Sequence, residues 1–193
     1  MKAALRHTAE HSLSGWNNFL VAYEALLDWR DAGAVGSPVL PEPAGLTLRA
    51  PLLGEILATL HPSYADEATL ARGDNGKAGW CQAELLRIRG ERALAADPAE
   101  AEALYLRSLE IAKNAGTLTW EMRTSVSIGR LWQRVGRTRD AYEQLESVLS
   151  RVQEGFSSPD FRSAVSLYES LASSIGAYAR HFPDSDEAVV LAF

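Results

Sequence analysis

The sequence contains a single cysteine, Cys81, and no apolar run that approaches the length of a membrane-spanning helix, about 18 residues. One cysteine cannot form an internal disulfide, and its isolation excludes zinc sites built from several thiolates. The first residues also lack the apolar core of a secretory signal peptide. We therefore expect a cytoplasmic protein that does not enter a membrane.

Alternating runs of β-branched residues are nearly absent, which argues against strands. Acidic residues outnumber basic residues by 25 to 19, and the formal net charge of −6 disfavours broad polyanion binding but allows a local basic patch. A chain of 193 residues, 47% of them hydrophobic, can bury a core without a metal or disulfide. We expect no cofactor and no bound metal.

From Gly79 onward, apolar residues recur with the 3.6-residue period of helices, and short breaks rich in Gly, Asp, Ser and Pro separate them. Asp97 can cap a helix whose first turn holds Pro98, and Glu100 can reach back to complete a capping box. Because the breaks are short, successive helices should be antiparallel. The pattern predicts helices over 98–114, 118–135, 138–152 and 159–180.

The first 76 residues are less regular, since residues 33–45 contain three prolines and three glycines and should form a loop. We expect one helical domain over 1–182, with regular hairpins over 77–182 and a tail over 183–193. Within the irregular part, the apolar spacing predicts helices over 1–11, 16–31, 50–60 and 63–72.

The sequence repeats itself with a period of about 40 residues, because Trp80 and Trp120 begin similar segments and Gly90 and Gly129 occupy equivalent positions. Small residues at such positions let two helices approach closely. The second of these repeats, which begins at Trp120, has the spacing of a tetratricopeptide repeat. We therefore predict an all-α fold, a right-handed α-solenoid of tetratricopeptide-like helix hairpins that is irregular in its N-terminal third. The repeat positions are Gly129, Trp132, Gly136, Ala141, Leu145 and Val148.

Five phrases of the sequence carry a resemblance to a known family: LRHTAEH at 5–11, WCQAELLRIRGE at 80–91, SLEIA at 108–112, TWEMR at 119–123 and EGFSSPDF at 154–161. They resemble the C-terminal tetratricopeptide-like region of bacterial predicted ATPases linked to adenylate cyclase or winged-helix regulator domains. The resemblance implies a non-catalytic scaffold that binds proteins as a regulatory or sensor module in signalling or transcription control.

Four arginines lie within ~60° of arc on and just after the predicted helix 118–135, and we call them the arginine stripe. Guanidinium groups suit carboxylates and phosphates. Three interpretations of the stripe remain open. It can be part of a groove for a protein or an acidic peptide, or it can be a nucleic-acid contact. The third interpretation is a solvated face that is neutralised by Glu121, Asp140, Glu143 and Glu146. The stripe consists of Arg123, Arg130, Arg134 and Arg137.

First helices of tetratricopeptide hairpins line the concave groove, so the repeat register predicts which side chains face a partner. Nucleic acid is the weaker expectation, because one stripe in an acidic chain is a small footprint. An uncovered terminal hairpin would also expose an apolar face that a homodimer can bury. The predicted groove residues are Arg87, Glu91, Arg123, Val126, Arg130, Gln133 and Arg134.

Three further features have a functional or a structural interpretation. The string His7-Thr8-Ala9-Glu10-His11 matches the H-x-x-E-H pattern of a metal-dependent hydrolase, although a solvated helix face explains it more simply. Cys81 near a helix start is either an activated thiolate or a packed small apolar residue. The tryptophans of the repeats should fill space between hairpins; these are Trp80, Trp120 and Trp132.

Overall fold

The computed structural model describes residues 20–21, 23–25, 27–28 and 51–181, and this part consists of helices joined by turns and short loops, with no strand. The prediction of an all-α protein is confirmed. Short 3-10 turns lie at Pro62–Tyr64 and Gly79–Cys81. The α-helices after residue 50 are α1 Pro51–Leu60, α2 Glu67–Asp74, α3 Gln82–Ala93, α4 Pro98–Asn114, α5 Leu118–Arg134, α6 Thr138–Leu149 and α7 Pro159–His181.

Helix α4 begins as its sequence predicts. One carboxylate oxygen of Asp97 accepts hydrogen bonds from the backbone N–H groups of Ala99, at 3.1 Å, and Glu100, at 2.9 Å. The capping box predicted with Glu100 does not form, because the Asp97 N–H already donates to the carbonyl of Ala93 at 2.8 Å. The cap alone therefore starts the helix.

Glycines end α4 and α5 in the same way. Gly116 and Gly136 have φ of +65° and +83°, the left-handed conformation that favours glycine. The residue after each glycine donates back across the last turn, from Thr117 N–H to the Ala112 carbonyl and from Arg137 N–H to the Trp132 carbonyl. These bonds satisfy carbonyls that the helix end would leave open, and they fix the predicted tight turns.

Two predicted helices have different bounds. Helix α6 ends at Leu149 and not at 152, because Arg151 and Val152 donate to the carbonyls three residues before them and tighten the chain into a turn. The helix predicted over 63–72 is a 3-10 turn followed by α2. Asp66 separates the two, since its side chain accepts from Thr69 N–H at 2.7 Å and caps α2.

The chain divides into two compact units, 1–88 and 89–193, with the boundary inside α3. In the first unit, the carboxylate of Glu55 is 3% exposed and pairs with Arg72 at 2.6 Å. Glu84 is also buried and binds the guanidinium of Arg87 through two bonds of 2.8 Å. A small apolar core lies beside these pairs, formed by Ala58, Ala65, Leu70, Ala78, Cys81, Leu85 and Ile88.

In the second unit, α5 is the central helix and packs against α4, α6 and α7, while α6 also packs against α7. Their inner faces form one continuous core. Its largest fully buried side chains belong to Tyr105, Ile128, Leu145 and Leu171. Burying such apolar side chains gives about 1.5–3 kcal/mol each, so this core is the main source of stability for the unit.

Two glycines of the second compact unit lie where helices pack closely. A Cβ at Gly90 of α3 would lie 2.5 Å from the ring of Tyr105 in α4, inside any normal contact distance. At Gly129 of α5 the nearest atom is 3.3 Å away, on Leu167 of α7. The sequence predicted small residues at these equivalent positions, and the structure confirms both as helix-crossing sites.

Within the ranges that the structure describes, every helix is too short or too polar to cross a membrane.

Candidate functional site

The two ends of the arginine stripe are neutralised within the second unit. Arg123 pairs with Asp160 of α7 at 2.9 Å and lies over the ring of Trp120, 5.0 Å from its centroid. Arg137 pairs with both Glu102 and Asp140 at 2.6 Å. Its hydrogen bond to Asp140 raises the pKa of Arg137 further above its ordinary value. These two guanidinium groups link α5 to α7 and the end of α5 to α4 and α6.

The middle of the stripe differs. Arg130 and Arg134 are one helical turn apart on α5, and both are exposed. Arg130 Nη2 donates to Ser163 Oγ of α7 at 3.3 Å, a weak contact with a neutral group. Among the residues that the structure describes, neither guanidinium forms an ion pair. We call these two residues the arginine pair.

The carboxylates expected to neutralise the stripe mostly lie elsewhere. Only Asp140 contacts it. Glu121 is 1% exposed and pairs with Arg151, and Glu143 pairs with Arg139. Glu146 accepts from Tyr142 and Tyr168, whose rings stack with centroids 4.6 Å apart. The interpretation of a face neutralised by all four carboxylates is therefore wrong for three of them.

Helix α7 carries hydroxyl groups, one of which contacts the arginine pair of α5. Ser163 contacts Arg130 directly, and Ser166 and Ser170 continue from Ser163 along α7 at helical spacing and are exposed. No hydrogen bond to another described residue occupies the side chains of Ser166 and Ser170. The surface therefore combines two uncompensated positive charges with neutral donors and acceptors.

The other predicted groove residues have varied surroundings. Val126 is 6% exposed and belongs to the core, so it offers little surface to a partner. Glu91 accepts a hydrogen bond from Ser127 Oγ at 2.6 Å, which joins the end of α3 to α5. Gln133 is half-buried. Arg87 lies in the first unit, bound to Glu84, and its guanidinium is largely shielded.

Of the three tryptophans predicted to fill space between hairpins, Trp132 is buried and Trp120 is half-buried under Arg123, but Trp80 is 47% exposed. Trp80 lies in a 3-10 turn, where the side chain is directed differently from that of a regular helix. Cys81, the next residue, is fully buried, and burial together with the nearby Glu55 carboxylate raises its pKa to about 12. The thiolate interpretation is therefore wrong.

The sequence did not predict an open pocket of about 780 Å³ in the second unit, which we call the loop pocket. It lies where the first turns of α5 and α7 meet the segment 151–158 between α6 and α7. Two parts of the chain that are distant in sequence, 118–122 and 151–161, form it, so local periodicity carries no signal for it. Its lining is Leu118, Thr119, Met122, Arg151, Val152, Gln153, Glu154, Gly155, Ser158, Asp160 and Phe161.

The H-x-x-E-H string at 7–11 lies outside the described residues. In the part of the chain that is described, no three His, Cys, Asp or Glu side chains come together as a metal site. No family model, curated protein or solved structure matches the chain. Inferences about function therefore rest on the geometry of the arginine pair and of the loop pocket.

Proposed function

We propose that the protein is a non-catalytic helical-repeat scaffold that binds an acidic segment of a protein partner through Arg130 and Arg134. One observation carries this proposal: in a chain of net charge −6, these two adjacent guanidinium groups are exposed and have no carboxylate partner among the described residues. Carboxylates of a partner can supply the missing bidentate contacts.

The repeat arrangement supports the proposal. Glu91 of α3 bonds Ser127 of α5, and Arg123 of α5 pairs with Asp160 of α7. These contacts join residues 36 and 37 positions apart in sequence, so side chains link α3 to α5 and α5 to α7, helices that alternate along the chain. A series of first helices laid side by side is the arrangement of a tetratricopeptide-like solenoid, which presents such side chains on its concave face.

The chemistry of the pair favours binding over catalysis. Guanidinium groups stay protonated near neutral pH and cannot act as general acids or bases. Exposed charges of this kind increase the rate of association and orient the partner, while apolar anchors supply most of the affinity. By its resemblance to ATPase-linked bacterial proteins, the scaffold would serve as a regulatory or sensor module in signalling or transcription control.

The proposal is tested with a fluorescein-labelled peptide of alternating Glu and Ala, measured by fluorescence anisotropy against the full chain. We expect saturable binding that the double substitution Arg130→Glu and Arg134→Glu weakens at least about tenfold. The control is Lys77→Glu with Lys113→Glu, two exposed lysines outside the stripe whose reversal changes the net charge equally.

Equal loss of affinity in the two double variants would show a general charge effect and reject the arginine pair as the site. A nucleic-acid role predicts instead that duplex DNA binds at low salt more tightly than the peptide, with an affinity that falls steeply with salt. Two uncompensated arginines are few for such a surface, and this is why the acidic peptide is the preferred ligand.

A further inference from the structure

The floor of the loop pocket is apolar. Leu118 and Met122 come from the first turns of α5, Val152 from the segment after α6, and Phe161 from the first turn of α7. Phe161 is half-buried, and its ring is nearly perpendicular to that of Phe156, with centroids 5.3 Å apart. A pocket of about 780 Å³ with such a floor has the size and character of a site for a small organic molecule.

Most charges around the pocket are already compensated. Asp160 pairs with Arg123 at 2.9 Å, and Arg151 pairs with the buried Glu121. Neither pair leaves a net charge for a ligand. Glu154 is different, because it is exposed and its carboxylate forms no ion pair with a described residue. The lining of the pocket therefore contains one uncompensated negative charge and one aromatic ring.

Neutral polar groups complete the rim. The hydroxyl of Thr119 and the amide of Gln153 line the pocket and have no side-chain hydrogen bond to a described residue. The hydroxyl of Ser158 accepts from Phe161 N–H at 3.2 Å and caps α7. An ammonium group can bind the carboxylate and one of these acceptors while its hydrocarbon part covers the apolar floor.

We propose that the loop pocket binds a small organic cation with an apolar or aromatic body, through the carboxylate of Glu154, the ring of Phe161 and the apolar floor. A carboxylate and an aromatic face together favour an ammonium group over an anion or a neutral molecule. The site uses none of the residues of the arginine pair, so the test of this proposal is independent of the test of the acidic-partner proposal.

The test compares three probes that share one body and differ in charge: 2-phenylethylammonium, 2-phenylethanol and 3-phenylpropionate. Each is titrated into the full-length ¹⁵N-labelled protein, and amide shifts are followed by NMR. We expect saturable shifts at 118–122 and 151–161, with the ammonium probe binding most tightly and the carboxylate probe least tightly.

Two variants test which side chains of the loop pocket bind the ammonium probe. Glu154→Gln should weaken the affinity for the ammonium probe about threefold and leave the affinity for the alcohol probe unchanged. This is the size of effect expected for one exposed charge pair. Phe161→Leu keeps an apolar floor but removes the aromatic face, so it should weaken the ammonium probe more than the alcohol. Glu110→Gln, an exposed carboxylate on α4, is the matched control and should change nothing.

The proposal fails if the three probes bind equally, if the carboxylate probe binds best, or if the shifts lie away from the loop pocket. It also fails if Glu154→Gln and Glu110→Gln give the same affinities for the ammonium probe.

Discussion

At the scale of single residues, close contacts decide which substitutions the second unit tolerates. Gly90→Ala would place a Cβ 2.5 Å from the buried ring of Tyr105, and we expect it to lower the free energy of unfolding by about 1–3 kcal/mol. A Cβ at Gly129 comes nearest to the end of the Leu167 side chain at 3.3 Å and makes ordinary contacts with Leu145 and Ala141, and alanine gains about 1 kcal/mol of helix propensity. Gly129→Ala should therefore be close to neutral.

Urea denaturation of the two variants and the wild type, followed by circular dichroism, measures this difference. The account of helix crossing at Gly90 is wrong if Gly90→Ala is as stable as Gly129→Ala.

Cys81 gives a second prediction at this scale. Its pKa of about 12 means that almost no thiolate is present at pH 8, and its side chain is fully buried. We expect native protein to react with a disulfide reagent such as DTNB at least about a hundredfold more slowly than protein unfolded in urea. Rapid labelling of the folded chain at pH 8 would contradict the burial of this thiol.

At the scale of elements, one carboxylate connects α4 to the end of α5. Glu102 Oε1 accepts from Trp132 Nε1 and from Arg137 Nη1, both at 2.6 Å. Arg137 in turn lies 4.5 Å from the centroid of the Trp132 ring. Removing this carboxylate leaves the Trp132 N–H without its acceptor and Arg137 with Asp140 as its one remaining carboxylate partner among the described residues, so the cost should exceed that of an ordinary surface substitution.

We expect Glu102→Ala to lower the free energy of unfolding by about 1–2 kcal/mol, after allowing for the partial exposure of the pair. Glu110→Ala, on the same helix but outside this contact, should cost less than about 0.5 kcal/mol. Thermal denaturation followed by tryptophan fluorescence compares them. Similar midpoints for the two variants would show that Glu102 does not stabilise the contact between α4 and α5.

The helices also show how much of the fold can be predicted from the sequence. Capping by Asp97, the terminal glycines Gly116 and Gly136 and the 3.6-residue period are local signals, and they predicted α4, α5 and α7 to within one residue. The end of α6 was missed because the turn after Leu149 depends on backbone bonds and not on a Gly or Pro. Trp80 was misjudged because a 3-10 turn changes where a side chain is directed.

At the scale of the whole molecule, contacts between residues distant in sequence are the features that the sequence did not predict. The arginine stripe is visible as a spacing, but its division into paired ends and an uncompensated middle depends on Asp160 and Glu102, which are distant in sequence. The loop pocket likewise needs two distant segments, 118–122 and 151–161, brought together by folding. Such features arise from packing and have no periodic signature.

The proposal that Arg130 and Arg134 select an acidic partner is tested most directly by reversing both sides of the interaction at physiological salt. Binding of the alternating Glu–Ala peptide and of its Lys–Ala counterpart is measured with the wild type and with the Arg130→Glu, Arg134→Glu double variant. We predict that the wild type prefers the Glu peptide and that the variant prefers the Lys peptide, whereas an unchanged preference in the variant would contradict this assignment.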